Sequence, residues 1–113
     1  MQENDLVRLR HMLDSGREAV SYAARRQRAD LEHDRMFVHA LVRCIEIVGE
    51  AASRISAQCR AEIPRIPWSD VVGMRNRLIH AYFDIDLDLL WNTVQDDLPP
   101  LIVELEKIVP PRA

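Results

Sequence analysis

The chain has 113 residues, of which 48% are hydrophobic and 29% charged, and its formal net charge is −3 at pH 7. These values are typical of one globular domain over residues 1–113, with a modest core. No run of about 18 apolar residues is present, so we expect no membrane span, and the acidic balance argues against a generic nucleic-acid binder. The first residues, MQEND, lack the basic and apolar segments of a secretory signal, which predicts a cytoplasmic protein.

The first predicted helix covers residues 4–28, with Asn4 or Asp5 as its N-cap. Apolar side chains recur along it at a period of about 3.6 residues; around Gly16 they are Leu6, Leu9, Leu13, Val20 and Ala24. Three arginines close the helix: Arg25, Arg26 and Arg28. They either complement the helix dipole while remaining solvated, or they contact an RNA backbone.

A second predicted helix begins at Asp30 or Asp34 and runs to about Arg60. Its core stripe comprises Phe37, Val38, Leu41, Cys44, Ile45, Val48, Ala52 and Ile55, and its opposite side carries Arg35, His39, Arg43, Glu46, Glu50 and Arg54. Like charges four residues apart are mildly unfavourable, so we expect Glu46 or Glu50 to meet an arginine of another helix or subunit. Small residues around Gly49 allow another helix to approach closely.

The two cysteines, Cys44 and Cys59, fall on this one predicted helix, too far apart to bridge each other. They form no C-x-x-C pair, so we expect reduced, mostly buried thiols. Two prolines then predict a loop over residues 62–67, and a helix follows over about 69–81, capped by Ser69 or Asp70.

Residues 84–86 read as a turn that caps a last helical region, which begins near Leu87. Pro99 and Pro100 either kink this region or begin a new helix. No segment has the pattern of a strand. The predicted fold class is therefore all-α, an up-and-down bundle of four or five helices.

The helix over 69–81 combines an apolar face with an arginine. On an ideal helix, Val71, Val72, Met74, Leu78 and Ile79 share one broad sector. Arg75 falls near the middle of that sector, where its permanent charge needs an anionic partner or an interface. Asn76 and His80 lie four residues apart on a different edge of the same helix.

These side chains are suited to RNA cleavage. RNA carries its own nucleophile, the 2′-OH, so cleavage needs proton transfer and stabilisation of phosphorane charge. His80 titrates near neutrality and suits the proton transfers, and Arg75 suits the charge. Asn76 would orient the imidazole or the phosphate. No metal is required, and the four histidines lack ligand spacing. Taken alone, His80 also fits a hydrogen-bonded histidine near a helix end.

The run from Arg75 to Tyr82 resembles the R-x4-H-x-Y signature of HEPN-superfamily ribonucleases. More narrowly, the chain is similar to HepT-like toxins, which are encoded beside a minimal nucleotidyltransferase antitoxin. The flanking stretches that match are residues 47–52, 66–68, 82–86 and 97–101.

This resemblance implies a symmetric homodimer, a HEPN-like bundle whose two R-x4-H motifs face a shared cleft, so that Arg75 and His80 of both copies cleave RNA. It also implies that a nucleotidyltransferase antitoxin inhibits such a type VII-like toxin by transferring AMP to Tyr82. No cofactor is implied. The predicted supporting residues are Asn76, Arg77 and Glu50.

Two alternatives remain open from the residues. The same helical domain could be a non-catalytic subunit that lends substrate or nucleotide binding to a separate nucleotidyltransferase. It could also be a dimerisation module in which Arg75 simply pairs with Glu46 or Glu50. An intact set of Arg75, His80 and Tyr82 favours the ribonuclease over the non-catalytic subunit, whereas a salt-resistant dimer that cleaves no RNA would support the dimerisation module.

Overall fold

The computed structural model describes residues 2–81 and 84–112, with side chains for 2–79 and 84–112. Its elements in chain order are helix α1 (Glu3–Ala23), a 3-10 turn (Arg28–Glu32), α2 (Arg35–Ser53), α3 (Ala57–Glu62), α4 (Trp68–Leu78), strands β1 (Ile79–Ala81) and β2 (Asp84–Ile85), α5 (Leu87–Asn92), a π-helical turn (Thr93–Asp97) and α6 (Leu98–Glu106). The predicted all-α helical bundle is confirmed. Within the described ranges, no helix is both long and apolar enough to cross a membrane.

Helix α1 is shorter than predicted, and both of its ends differ from the prediction. It begins after Gln2, whose side chain makes no capping hydrogen bond, and it ends at Ala23. The chain leaves the helix because Ala24 is extended and Arg25 has a φ of 65°. The predicted cap Asp5 is instead buried, and its carboxylate accepts hydrogen bonds from the backbone N–H and the hydroxyl of Ser56, at 2.9 and 2.7 Å.

The second predicted helix is in fact two helices. Asp34 caps α2 as expected, since its carboxylate accepts from the Phe37 N–H at 3.0 Å. The helix does not continue to Arg60, because the Ser56 N–H donates to Asp5 rather than to a carbonyl one turn back. The Ser56 hydroxyl then caps α3 by accepting from the Cys59 N–H at 3.1 Å. The cysteines therefore lie on different helices, and both are buried and unpaired as predicted.

Helix α2 lies at the centre of the bundle and packs against both α1 and α4. The crossing with α4 occurs at Gly49, where a Cβ atom would lie 3.3 Å from the Val72 carbonyl oxygen and 3.4 Å from that of Val71. This confirms the expected close approach of a helix at Gly49. The main buried aliphatic side chains come from several helices; they include Leu9, Met12, Leu41, Ile45, Val48, Val71, Leu78, Leu90, Leu98 and Leu105.

The predicted helix over 69–81 starts at Trp68 and ends at Leu78, so its predicted C-terminal end is wrong. Ile79 is extended, and the Leu78 carbonyl accepts from the Asp86 N–H at 2.8 Å, a bond that replaces helical continuation. The prediction that the chain has no strand was also wrong, because β1 and β2 form an antiparallel pair with Ile79 opposite Ile85. Asp86 caps α5 as expected, since it accepts from the Leu89 N–H at 3.0 Å.

The last two helices are joined through the π-helical turn. Here the Leu98 N–H donates to the Thr93 carbonyl, five residues earlier. Pro99 and Pro100 have no N–H, and an α-helical path would press their rings against the carbonyls of the preceding turn. The wider π geometry relieves that crowding. The prolines therefore begin α6, which is one of the two predicted outcomes.

Candidate functional site

Helix α4 divides into a buried face and an exposed polar face. Val71, Met74 and Leu78 are buried at spacings of three and four residues and anchor the helix to the core. Arg75 is instead exposed, with 47% of its side chain accessible. The buried sector is narrower than predicted, and Arg75 lies outside it. The same polar face carries Asn76, which makes no hydrogen bond in the described part of the chain.

A carboxylate of α2 holds Arg75 in place. The Arg75 Nε donates to Oε2 of Glu46 at 2.9 Å, and 31% of the Glu46 side chain is accessible. This confirms the expectation that Glu46 or Glu50 meets an arginine of another helix. Across the described residues the terminal nitrogens of Arg75 make no hydrogen bond. A guanidinium fixed through Nε, with both terminal NH2 groups free of hydrogen bonds to the described residues, is suited to bidentate binding of an oxyanion such as phosphate.

The remaining motif residues lie at the limit of what the structure describes. The backbone of His80 belongs to β1, and Tyr82 lies outside the described residues. Because α4 ends at Leu78, Asn76 and His80 are not one helical turn apart on a common helix, and the predicted shared edge is wrong. The roles of His80 and Tyr82 stay predictions.

Arg77 faces a different region of the surface. Its Nη2 donates to the Asp70 carbonyl at 3.0 Å, and its Nη1 lies 3.9 Å from the Asp70 carboxylate. It lines a groove of about 550 Å³, here called the α4–α6 groove, together with Arg65, Ile66, Pro67, Asp70, Val71, Met74, Asp96, Asp97, Pro100, Leu101 and Glu104. Four carboxylates against two arginines make this groove unfavourable for a phosphate group.

Glu50 is the glutamate that does not contact Arg75. It pairs with Arg54 at 3.2 Å, four residues further along α2. Both line a second groove of about 300 Å³, here called the α1–α2 groove, together with Arg8, His11, Arg43, Ile47 and Ala51. Sequence reasoning missed this groove because its cations come from two helices. The only signal was the i, i+3 spacing of Arg8 and His11.

The arginines after α1 are engaged in ion pairs. Arg26 Nε lies 3.2 Å from Asp30, its Nη2 lies 3.0 Å from Asp34, and its guanidinium stacks 4.0 Å from the centre of the Phe37 ring. A hydrogen bond from the Phe37 N–H, followed by the one from Arg26, holds the pKa of Asp34 below its ordinary value. The Gln27 N–H, followed by Arg26, does the same for the pKa of Asp30.

Arg28 is engaged in the same way. Its guanidinium lies 2.7 Å from Asp88 at the start of α5 and 3.1 Å from Glu32. Arg26 and Arg28 therefore stabilise the join between helices and are not simply solvated partners of a helix dipole. Contact of these arginines with RNA stays a prediction. Arg25 is exposed.

The buried cysteines are poor nucleophiles. Burial, followed by the nearby Glu18 carboxylate, raises the pKa of Cys44 to about 11. Burial, followed by Asp5, also raises the pKa of Cys59. At neutral pH both thiols are therefore protonated. Among the described residues, no group of three His, Cys, Asp or Glu side chains could hold a metal ion.

Comparison with known proteins points to one family. The family described as “Ribonuclease HepT-like” matches residues 12–108. The protein “Putative RNase MJ1380” of Methanocaldococcus jannaschii is 36% identical over 95 residues, which cover 84% of this chain and 87% of that protein. “Probable ribonuclease HepT” of Thermococcus cleftensis is 41% identical over 75 residues, or 66% of this chain and 68% of that protein. No solved structure matches the chain.

Proposed function

The chain belongs to the HepT-like ribonuclease family, and from this membership we propose that it is an endoribonuclease of the toxin type. The observation that carries the proposal is the state of Arg75, an exposed side chain held through Nε by Glu46, whose terminal nitrogens make no hydrogen bond to the described residues. Such a group is arranged to receive a phosphodiester, which is the bond that a ribonuclease cleaves.

In the proposed reaction the RNA supplies the nucleophile. The 2′-oxygen bonds to phosphorus while the bond from phosphorus to the 5′-oxygen breaks. One histidine accepts the proton of the 2′-OH, and another donates a proton to the leaving 5′-oxygen. Arg75 stabilises the charge that builds on the non-bridging oxygens. The chemistry needs no metal, because proton transfer by His80 takes the place of a metal-activated nucleophile.

The division of acid and base between two histidines favours a homodimer. Each chain contains one R-x4-H-x-Y motif, with one Arg75 and one His80. Two copies related by a twofold axis would place two of each residue around a shared cleft. One copy of His80 would then act as base while its partner acts as acid.

We further propose that Tyr82 is the point of control. A nucleotidyltransferase antitoxin would transfer AMP to the Tyr82 hydroxyl, two residues after His80 in the chain. The added phosphate would bring negative charge to the place where the substrate phosphate binds, and it would inhibit by occupancy and repulsion.

The test of the catalytic proposal compares induced expression of the parent chain with Arg75→Ala and His80→Ala at matched protein levels. Arg65→Ala is the matched control, since the Arg65 side chain is 78% exposed and its only ion pair among the described residues, with Glu104, is at 4.0 Å. We expect the parent and the control to arrest growth and cleave RNA. The two motif variants should lose about a hundredfold or more of the cleavage rate. A parent chain that cleaves no RNA would overturn the proposal and favour a non-catalytic binding subunit.

The test of control uses Tyr82→Phe and the parent, each coexpressed with a cognate nucleotidyltransferase. Mass spectrometry of the parent should show AMP on Tyr82, and its cleavage of RNA should be suppressed. Tyr82→Phe should carry no AMP and should remain active. If the partner neutralises Tyr82→Phe as well as it neutralises the parent, this tyrosine is not the control point.

A further inference from the structure

The α1–α2 groove carries unneutralised positive charge in a chain whose net charge is −3. In the described part of the chain, Arg43 and His11 make no hydrogen bond or ion pair, and Arg8 donates only to the Asn4 carbonyl, at 3.4 Å. The single carboxylate of the groove, Glu50, is occupied by Arg54. Two arginines are thus available to an anionic ligand.

The groove is lined by apolar as well as cationic side chains. Of the apolar lining residues, Ala51 is buried and Ile47 is half-buried. A ribose-phosphate backbone has matching features, since its sugars present apolar C–H surface and its phosphates carry one negative charge each. Arginine is also the cation that best fits phosphate geometry.

The groove lies next to the candidate catalytic arginine. Arg43 precedes Glu46 by three residues on α2, a rise of about 4.5 Å along the helix, and Glu46 is the residue that holds Arg75. One wall of the groove and the anchor of Arg75 therefore belong to the same stretch of α2. A strand with one phosphate at Arg75 needs to cross only the surface of α2 to reach Arg43.

We propose that the α1–α2 groove binds the phosphate backbone of the RNA strand that is cleaved at Arg75 and His80. This inference rests on the proposed function and extends it, because it assigns substrate binding to residues outside the R-x4-H motif. Binding there is independent of base sequence, since the groove offers cations for phosphates. The α4–α6 groove is larger, but its four carboxylates exclude it from this role.

The test measures binding of a labelled single-stranded RNA over a range of salt concentrations, with the full chain carrying His80→Ala so that binding is separated from cleavage. In this background, Arg8→Ala/Arg43→Ala should raise the Kd about tenfold and reduce the slope of log affinity against log salt by roughly 1 to 1.5, the value for two lost phosphate contacts. The matched control Arg17→Ala/Arg65→Ala removes the same charge outside the groove. It should leave the slope unchanged.

A substitution in the opposite direction supplies an independent result. Glu50→Gln removes the carboxylate of the groove and releases Arg54, so it should tighten RNA binding and steepen the salt dependence. Melting curves of each variant establish that it is folded. If the parent cleaves RNA while both double variants weaken binding equally, only the groove assignment fails. If the parent neither binds nor cleaves RNA, the proposed function fails with it.

Discussion

The arginines after α1 and the arginines of the α1–α2 groove are the same residue type in opposite electrostatic settings. Arg26 and Arg28 each contact two carboxylates, whereas Arg43 contacts none in the described part of the chain and Arg8 contacts only a carbonyl. In the sequence the first pair looks more like an RNA-binding patch, because its members are clustered. The difference shows that a charge is available to a ligand only where folding leaves it without a carboxylate.

The largest expected effect is on the stability of the folded chain, when one arginine from each of these two sets is replaced. Arg26→Ala removes two ion pairs and the stacking on Phe37, and it should lower the melting temperature by several degrees. Arg43→Ala removes no such contact and should change the free energy of unfolding by at most about 0.5 kcal/mol. Thermal melts of the two variants provide the measurement. Equal melting temperatures of the two variants would show that Arg26 stabilises the fold no more than Arg43 does.

Arg75 lies between these extremes, since among the described residues it is paired through Nε alone. Glu46→Gln weakens that anchor without removing a buried contact, so it should change stability by less than about 1 kcal/mol. The guanidinium would be less well oriented, and we expect the rate of RNA cleavage to fall about tenfold. The comparison is with Glu106→Gln, which weakens a surface ion pair with Arg17 and involves neither Arg75 nor the α1–α2 groove. A Glu46→Gln variant as active as the parent would show that the ion pair does not position Arg75.

Acid titration distinguishes the two sets by a smaller effect. The pKa values of Asp30 and Asp34 are lowered in the folded chain, so both carboxylates contribute stability above their unfolded pKa of about 3.9. That contribution is lost as the pH falls through the lowered folded values. Melting temperatures measured from about pH 6 to about pH 3 should fall less steeply for Arg26→Ala than for Arg43→Ala. If the melting temperatures of the two variants fall equally steeply with pH, Arg26 does not lower the pKa of these carboxylates.

The smallest effect is expected at Arg25, which neighbours the paired arginines but occupies the left-handed region, with a φ of 65°. A non-glycine residue there costs about 1 kcal/mol, and Arg25→Gly removes that cost while adding freedom to the unfolded chain. The free energy of unfolding should therefore rise by up to about 1 kcal/mol in chemical denaturation. A loss of stability would indicate that the Arg25 side chain makes a stabilising contact.

Local patterns were sufficient to predict most of the fold. The helical periodicity of the apolar residues predicted the all-α class. Asp34 was one of two candidate caps of α2, and the cap of α5 was placed within the turn 84–86, where Asp86 supplies it. Gly49 indicated the helix crossing because only a small residue permits such an approach. Each of these features depends on residues close together in the sequence.

The errors occurred where distant residues compete with local preference. The α2–α3 break depends on Asp5, which takes the Ser56 N–H from 51 residues away. The end of α4 depends in the same way on the Asp86 N–H, which binds the Leu78 carbonyl. Periodicity carries no information about such hydrogen bonds, so the predicted helices continued past both points.

The candidate site was predictable in part. The like charges of Glu46 and Glu50 indicated that an arginine must approach, and the contact of Arg75 with Glu46 confirms this. The α1–α2 groove was not predictable, because Arg8 and Arg43 come together only when α1 packs on α2. Arg75 lies at the surface because less of α4 is buried than its apolar residues alone would predict.

Because its two native cysteines are buried and react slowly, the chain is suited to labelling at a single introduced cysteine. With a pKa of about 11, only about one Cys44 thiol in ten thousand is ionised at neutral pH. Cys59 is also buried, which raises its pKa in the same direction. A single cysteine introduced on the exposed side of α2, as in His39→Cys, would therefore react alone with a maleimide probe. Labelled in this way, two copies of the chain would report their separation as a spectroscopic distance across the proposed twofold axis.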